Sequence, residues 1–465
     1  VSAETGRSTP TRSRRGAGAA FLPSDAEIRR LLADRIQTLA GQDDGLGIVV
    51  GVVGPAGRRV LSYGHRVHGD TRPLDGDTGF EIGSVTKVFT ALLLADMVQR
   101  GEVALGDPVA KHLPSLEVPE RNGRPITLLD LATHTSGLPF MPELDDATAT
   151  GYDAAAFRFL ARVDLPRESG GEWDYSNVGY WLLAKALASR AGVDYETLLR
   201  TRIVAPLRLT GTAITPSPAM KANLAVGHNA FLQPSGPFSS IPTYAGMSAA
   251  GGLVSTANDL LTLLSAALGH QRSPLAPALS AMLATRRPMP RPTEAQALGW
   301  VVMGDGDDQL VVHDGGTWGY ASSVAWDPGR RVGVVVLSNQ VAGVDDIARH
   351  LLRRDVPLGR PTATRRTEIA LDAAVLDSYA GRYEAEGEGA FLIAREADFL
   401  TIQPPADWGL WTMRLRPESL RDFFASELPL RVTFQADAEG RVNGLLVHPP
   451  RGQAAVPARR TSRSR

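Results

Sequence analysis

The stretch that decides the fold is FEIGSVTKVFTALLLADMVQRG, Phe80 to Gly101. It reads as a short strand or loop, then a helix from about Val85 to Arg100 that Gly101 stops. Its lysine stands out. The chain carries 49 lysines and arginines, and only Lys87, Lys111, Lys185 and Lys221 are lysine. Residues three apart share a helix face, so Lys87 comes back to Ser84 at the helix mouth. That mouth also offers unpaired backbone N–H groups and the positive end of the helix dipole, which suit an oxyanion. A serine nucleophile needs a neighbour that can take its proton. Arginine stays protonated at any working pH, whereas a buried lysine can be neutral. S-x-x-K alone is a weak motif that arises often by accident. The flanking Val88, Phe89 and Leu92 to Leu94 mark a helix buried on most faces, a poor place for an ordinary surface lysine.

Around this stretch the bulk numbers describe a globular protein. At 465 residues two or three domains are expected. A formal net charge of −1 gives no electrostatic footprint for nucleic acid, and no run reaches the length of a membrane span. Cysteine is absent, which excludes disulfides, thiolate metal sites and a cysteine nucleophile. Residues 1–20 are rich in Arg, Ser, Thr and Gly and read as a disordered tail without the apolar stretch of a secretory signal, so a cytoplasmic location is expected.

Outward from Phe80, the elements read as strands, then helices, then strands, then a helix. Ser24 or Asp25 caps a first helix with Ile28, Leu31, Leu32, Ile36 and Leu39 on its apolar face. GIVVGVVGPAGRRVLSYG is two strands around a Pro-Ala-Gly turn. TLLDLATH opens with a Thr127–Asp130 capping pair, NVGYWLLAKALASRAG is a helix ended by Gly192, and STANDLLTLLSAALG is another, capped at Ser255 or Thr256 and stopped by Gly269. QLVVHDGG and ASSVAWDPGRRVGVVVLSN are strands with an Asp-Pro-Gly turn, and a helix near Val344 to Arg353 follows. The order predicts an α/β (α+β) catalytic domain over 21–356, an antiparallel sheet flanked by helices with a helical subdomain. Residues 357–370 read as a linker. Residues 371–455 carry short β-like runs at turn spacing, a small barrel or sandwich, and 456–465 read as a solvated tail.

Two further motifs follow S-x-x-K in order: Tyr175-Ser176-Asn177 before a helix, and His313-Asp314-Gly315-Gly316 at a strand end. Together the three resemble the signature of the penicillin-recognising serine enzymes, most closely the branch of class C β-lactamases and D-Ala-D-Ala peptidases with S-x-x-K, Y-x-N and K-T-G or H-x-G. LLDLATHTSGLP and AAGGLVSTANDLLTLL resemble that branch as well, and the likeness runs from about Asp25 to Arg353. The C-terminal β region resembles the lipocalin-like domain appended to some members. The resemblance implies that Ser84 is acylated, that Lys87 is its base or proton relay, and that Tyr175 shuttles a proton to the leaving group and from the acceptor. It implies that Asn177 hydrogen-bonds a substrate amide, that His313 sits beside the tyrosine, and that the N–H groups of Ser84 and Gly316 form the oxyanion hole. A phenol serves as a base near neutral pH only if a cation depresses it, so Lys87 is expected to lower Tyr175. No cofactor is implied.

One position departs from the family pattern. Asp314 stands where a Thr or Ser hydroxyl is usual, and a carboxylate there is expected to repel a substrate carboxylate. β-Lactam hydrolysis and terminal-carboxylate trimming are therefore disfavoured. The rival nucleophile elbow, GMSAAG around Ser248, lacks its second glycine and an alternating βα setting. The nine histidines show no metal-hydrolase spacing. A non-catalytic binding protein is disfavoured by the intact Ser-Lys-Tyr set. Within the family, the chain resembles the penicillin-binding-protein-type thioesterases, which take a peptidyl thioester from a carrier protein and close it into a ring at a D-residue. A D-stereospecific peptidase or amidase, or a carboxylesterase or small-molecule acyltransferase, are the alternatives. Trp318, two residues past Gly316, is a candidate apolar wall for that substrate.

Overall fold

The computed structural model describes residues 22–462, except 41–44, 71, 143–150, 236, 238–245, 362, 364–365, 397–398, 406–407, 409–411, 426–429 and 450–453. The expected tail over 1–20 lies outside the described residues.

An eight-stranded antiparallel sheet forms the centre of the catalytic domain. Its strands are β1 (Gly47–Gly54), β2 (Gly57–Gly64), β3 (Arg287–Pro288), β4 (Glu294–Gln296), β5 (Val301–Met303), β6 (Leu310–Gly316), β7 (Ala321–Asp327) and β8 (Val332–Ser338), in the order β2-β1-β8-β7-β6-β5-β4-β3. The N-terminal hairpin thus docks on the C-terminal strands, with Ile48 opposite Ser338 and Val53 opposite Gly333. Strands β1, β7 and β8 are buried almost throughout because both faces are covered. On one face Val49, Val53, Val324, Val335 and Leu337 pack against the helical subdomain. On the other, Ile48, Val50, Val52, Val334 and Val336 pack under α1 (Asp25–Ala40) and the late helix Asp345–Leu352.

The deciding stretch folds as expected, with a refinement. Gly79–Glu81 is a strand, Gly83–Val85 a 3₁₀ turn, and α2 runs from Thr86 to Gln99. Twelve of the α2 residues from Thr86 to Met97 are buried, so this helix is the spine of the subdomain. The Thr127–Asp130 capping box forms, and starts α3 (Leu128–Ala132). Ser176 caps α4 (Asn177–Ala191), which Gly192 ends in the left-handed region at φ 71°. Thr256 caps α5 (Ala257–Ala267). The helix Asp345–Leu352 is α6.

The C-terminal region is a closed eight-stranded barrel, preceded by α7 (Ala373–Tyr379). Its strands run in sequence order from Gly381–Ala385 to Val456–Ser462, and the last pairs with both its predecessor and the first. Tyr383, Phe391, Phe423 and Phe434 fill the interior, and Tyr379 stacks on Phe434 at 4.2 Å. The reading of 456–465 as a tail is corrected here: Val456–Ser462 closes the barrel. Its arginines hid the strand. Arg460 is turned to use, since its guanidinium donates to the carbonyl of Ser378 at 2.8 Å and lies 5.8 Å over the Tyr383 ring. The barrel touches the catalytic domain where Phe424 meets Phe231 at 4.9 Å, with the Arg366 guanidinium 5.2 Å over Phe231.

Candidate active site

The 3₁₀ turn before α2 places Ser84 at the helix mouth, and the turn depends on a glycine. Gly83 has φ +48°, and a Cβ there would stand 2.5 Å from Gly316 O and 2.6 Å from Gly316 N. A Cβ on Gly315 would stand 3.0 Å from Ser84 N. The two N–H groups expected to form the oxyanion hole, on Ser84 and Gly316, therefore belong to backbone segments in van der Waals contact.

Of the four lysines only Lys87 is buried. Its Nζ lies 2.6 Å from Ala250 O, 2.7 Å from Asn177 Oδ1 and 3.1 Å from Ser84 Oγ. The first two are pure acceptors and take one N–H each. Tyr175 O–H donates to Ser84 Oγ at 2.8 Å, which leaves the serine proton to go elsewhere. As an ammonium Nζ donates to all three; as a neutral amine it keeps two N–H bonds to Ala250 and Asn177 and turns a lone pair to the Ser84 hydroxyl. Burial pushes the Lys87 ammonium well below its ordinary value, which favours that form. GMSAAG, the rival elbow, thus has another use: its short helix Ser248–Gly251 presents the Ala250 carbonyl to Lys87.

The expected cause for Tyr175 is corrected. Burial pushes the phenol up, with the Ser84 hydrogen bond opposing and Asp314 adding to the rise. Lys87 Nζ sits 4.8 Å over the ring, and the phenol is raised all the same. At rest Tyr175 is a neutral donor to Ser84 Oγ.

His313 and Asp314 point to opposite faces of β6. His313 is buried beside the centre, and burial foremost pulls it down to about 3, so it is neutral. Its Nδ1 lies 2.9 Å from Asp314 O. Asp314 faces α6. Ser323, its cross-strand partner, donates from Oγ to Oδ1 at 2.6 Å, and Arg349 pairs with Oδ2 at 2.5 Å. Asn177 Nδ2 reaches Met141 Sδ at 3.5 Å, a weak acceptor, and so stays available to a substrate carbonyl. Trp318 lies in the turn between β6 and β7; the tryptophan lining the cleft beside Ser84 and Tyr175 is Trp173.

Sequence reasoning missed three participants. His134, in LLDLATHTSGLP, stacks on Tyr175 at 4.3 Å, and its Nδ1 accepts from Ser176 N–H at 3.1 Å. Its backbone φ of 58° marks an unusual turn, but a lone histidine in a helix-capping loop carries no signal of its own. Trp173 borders the tyrosine at 6.3 Å. Arg349 reads in sequence as an ordinary helix-end cation.

With this geometry in place, the chain's relationships can be stated. The β-lactamase family model matches residues 32–357, and the chain belongs to that family of serine hydrolases. It is 29% identical over 318 residues to the D-alanyl-D-alanine-carboxypeptidase/endopeptidase AmpH of Escherichia coli K12, covering 62% of this chain and 81% of that protein. To a β-lactamase of Pseudomonas fluorescens it is 26% identical over 350 residues, 68% of this chain and 94% of the relative. A solved class C β-lactamase shares the fold, with a TM-score of 0.61 at 21% identity, covering 72% of this chain and 98% of its own. Among the described residues no helix is long and apolar enough to cross a membrane.

Proposed function

We propose that the chain transfers acyl groups through an ester on Ser84, with Lys87 as base and Tyr175 as proton donor to the leaving group. Ser84 Oγ attacks the acyl carbon while its proton passes to Lys87 Nζ. The N–H groups of Ser84 and Gly316 hold the oxyanion. Tyr175 gives its proton to the departing atom, and the Lys87 ammonium restores the phenol. The acceptor then enters by the reverse path. The observation that carries this reading is the buried Lys87 Nζ, fixed by Ala250 O and Asn177 Oδ1 at 3.1 Å from Ser84 Oγ, with the Tyr175 hydroxyl 2.8 Å from the same oxygen.

The proposed donor is a peptidyl thioester ending in a D-residue, delivered by a carrier protein and released as a ring. Asp314 in the cleft and the appended barrel support it through the resemblance to stand-alone thioesterases. A peptidase or amidase reading is supported by the name of the E. coli relative, half of which is an endopeptidase. Ring closure has to compete with water at about 55 M. A peptide amine held close in a dry site reaches far higher effective molarity. Matched synthetic thioesters, D and L at the last residue, decide between the readings when cyclic and linear products are counted by mass. Preference for D with mainly cyclic product is expected. Equal use of both epimers, or linear acid alone from every peptide, moves the assignment to the peptidase or esterase alternatives.

A further inference from the structure

The cleft wraps the free edge of β6. Strand β5 pairs with β6 at Leu310, Val311 and Val312, so among the described residues His313–Gly316 has a strand partner on one side only, β7. A space of about 480 Å³ runs along this edge, lined by Ser84, Trp173, Tyr175, Asp314 and Arg349 among others. The leaving group stands over Tyr175, which donates its proton. Asp314 lines the same cleft as Ser84 and Tyr175. Asp314 therefore borders the leaving-group end of the cleft.

Charge at this end is fully described by four lining side chains and one behind them. Arg291 pairs with Glu294 at 3.2 Å. Arg349 pairs with Asp314 at 2.5 Å through Nη2 and with Asp345 at 2.6 Å through Nη1. Two guanidiniums thus face three carboxylates, and His313 adds no charge. Arg349 is held between two carboxylates, Asp314 and Asp345, whose charge offsets its own toward an anionic ligand. Asp314 offers acceptors. Its side chain lines the cleft and is 37% exposed, and Ser323 and Arg349 use one acceptor position on each oxygen, which leaves further lone pairs.

We propose that Asp314 is a specificity-determining residue selecting a leaving group that carries an N–H donor, an ammonium or an amide, and rejecting one that carries a carboxylate. Arg349 is the positioning residue that holds Asp314 in place, and it becomes a carboxylate receptor when Asp314 is removed. This rests on acyl transfer through Ser84. An amide N–H two carbons from a thioester sulfur belongs to the selected class, as does the amide flank of an internal peptide bond.

The test uses one acyl-D-phenylalanyl group as the thioester of three thiols of similar length: mercaptopropionate (anionic), N-acetylcysteamine (neutral, with an N–H) and dimethylaminoethanethiol (cationic). Thiol release gives kcat/KM, and intact-mass analysis reports acylation of Ser84. The anionic thioester is expected to be used about tenfold or more worse than the other two at low salt. That gap narrows as ionic strength rises past about 0.5 M, because charge discrimination is screened. In Asp314→Thr the order inverts, since Arg349 is released. In Asp314→Thr/Arg349→Met the inversion disappears. Equal use of the anionic thioester by the wild-type chain overturns the proposal, as does a gap indifferent to salt or an unchanged order in Asp314→Thr. If that variant does not fold, the salt dependence of the wild-type chain decides alone. Ser84 acylated without discrimination overturns this proposal only; no Ser84-dependent release from any thioester overturns the acyl-transfer reading with it.

Discussion

At the scale of single residues, the proposed mechanism needs a group at position 87 that can be neutral, and lysine is one. Lys87→Arg keeps the charge and is expected to lower kcat by about a thousandfold or more, because the guanidinium cannot accept the serine proton. Steady-state kinetics on a thioester checks it; retention of most of kcat would show that the lysine is not the base. The pH profile follows from the same group. Lys87 must lose its proton to act, and burial pulls it well below 10.5. The acid limb of kcat/KM is therefore expected well below that value, with activity rising as pH rises through it. His313 adds a stability term of known sign. Its folded value of about 3 lies below the ordinary 6.5, so between those limits the unfolded chain binds a proton that the folded chain does not. Stability is retained above 6.5 and falls as pH drops below it, by about 1.4 kcal/mol per pH unit for this histidine. Denaturant unfolding at several pH values should show that slope reduced in His313→Asn. The nucleophile, base and tyrosine were legible as residue types at fixed spacings. His134 and Arg349 were not, because their roles arise from a stack on Tyr175 and a pairing with Asp314 across distant sequence.

Among the elements, the helix mouth and β6 form one unit. Gly83 and Gly315 let their backbones touch, and a side chain on Gly83 would drive the two segments apart. Gly83→Ala is expected to reduce kcat by about a hundredfold, more than it raises KM, because the N–H groups of Ser84 and Gly316, the proposed oxyanion hole, lose their spacing. Kinetics on the folded fraction, verified by circular dichroism, checks this. A variant with wild-type kcat would place the oxyanion hole elsewhere. Helix boundaries were readable because caps are local chemistry: Thr127 with Asp130, Ser176, Thr256 and the αL Gly192 all act within a turn of their own residues. Sheet order was not. Nothing local in GIVVGVVG says that it pairs with Val332–Ser338, since that register is set by burial on both faces.

On the scale of the whole molecule, two cores share a sheet and a third fills the barrel. The barrel's last strand escaped the sequence reading because charge outweighed pattern in its arginines, one of which spends its donors on backbone carbonyls. The domains meet through Phe231 and Phe424, both buried. Phe424→Ala is expected to cost about 3 kcal/mol, as a large aromatic lost from a packed contact. It should also expose the 357–370 segment to limited proteolysis sooner than in the wild-type chain. Unchanged cleavage and stability would mean that the barrel does not depend on this contact.

The central claim is that Ser84 carries the acyl group. Incubation with a slowly released D-peptidyl thioester, acid quench and peptide mapping by mass spectrometry test it directly. The account predicts one acyl group, on the peptide containing Ser84, absent from Ser84→Ala and strongly slowed in Lys87→Arg. Turnover that persists in Ser84→Ala, or an acyl group found on any other residue, would contradict it.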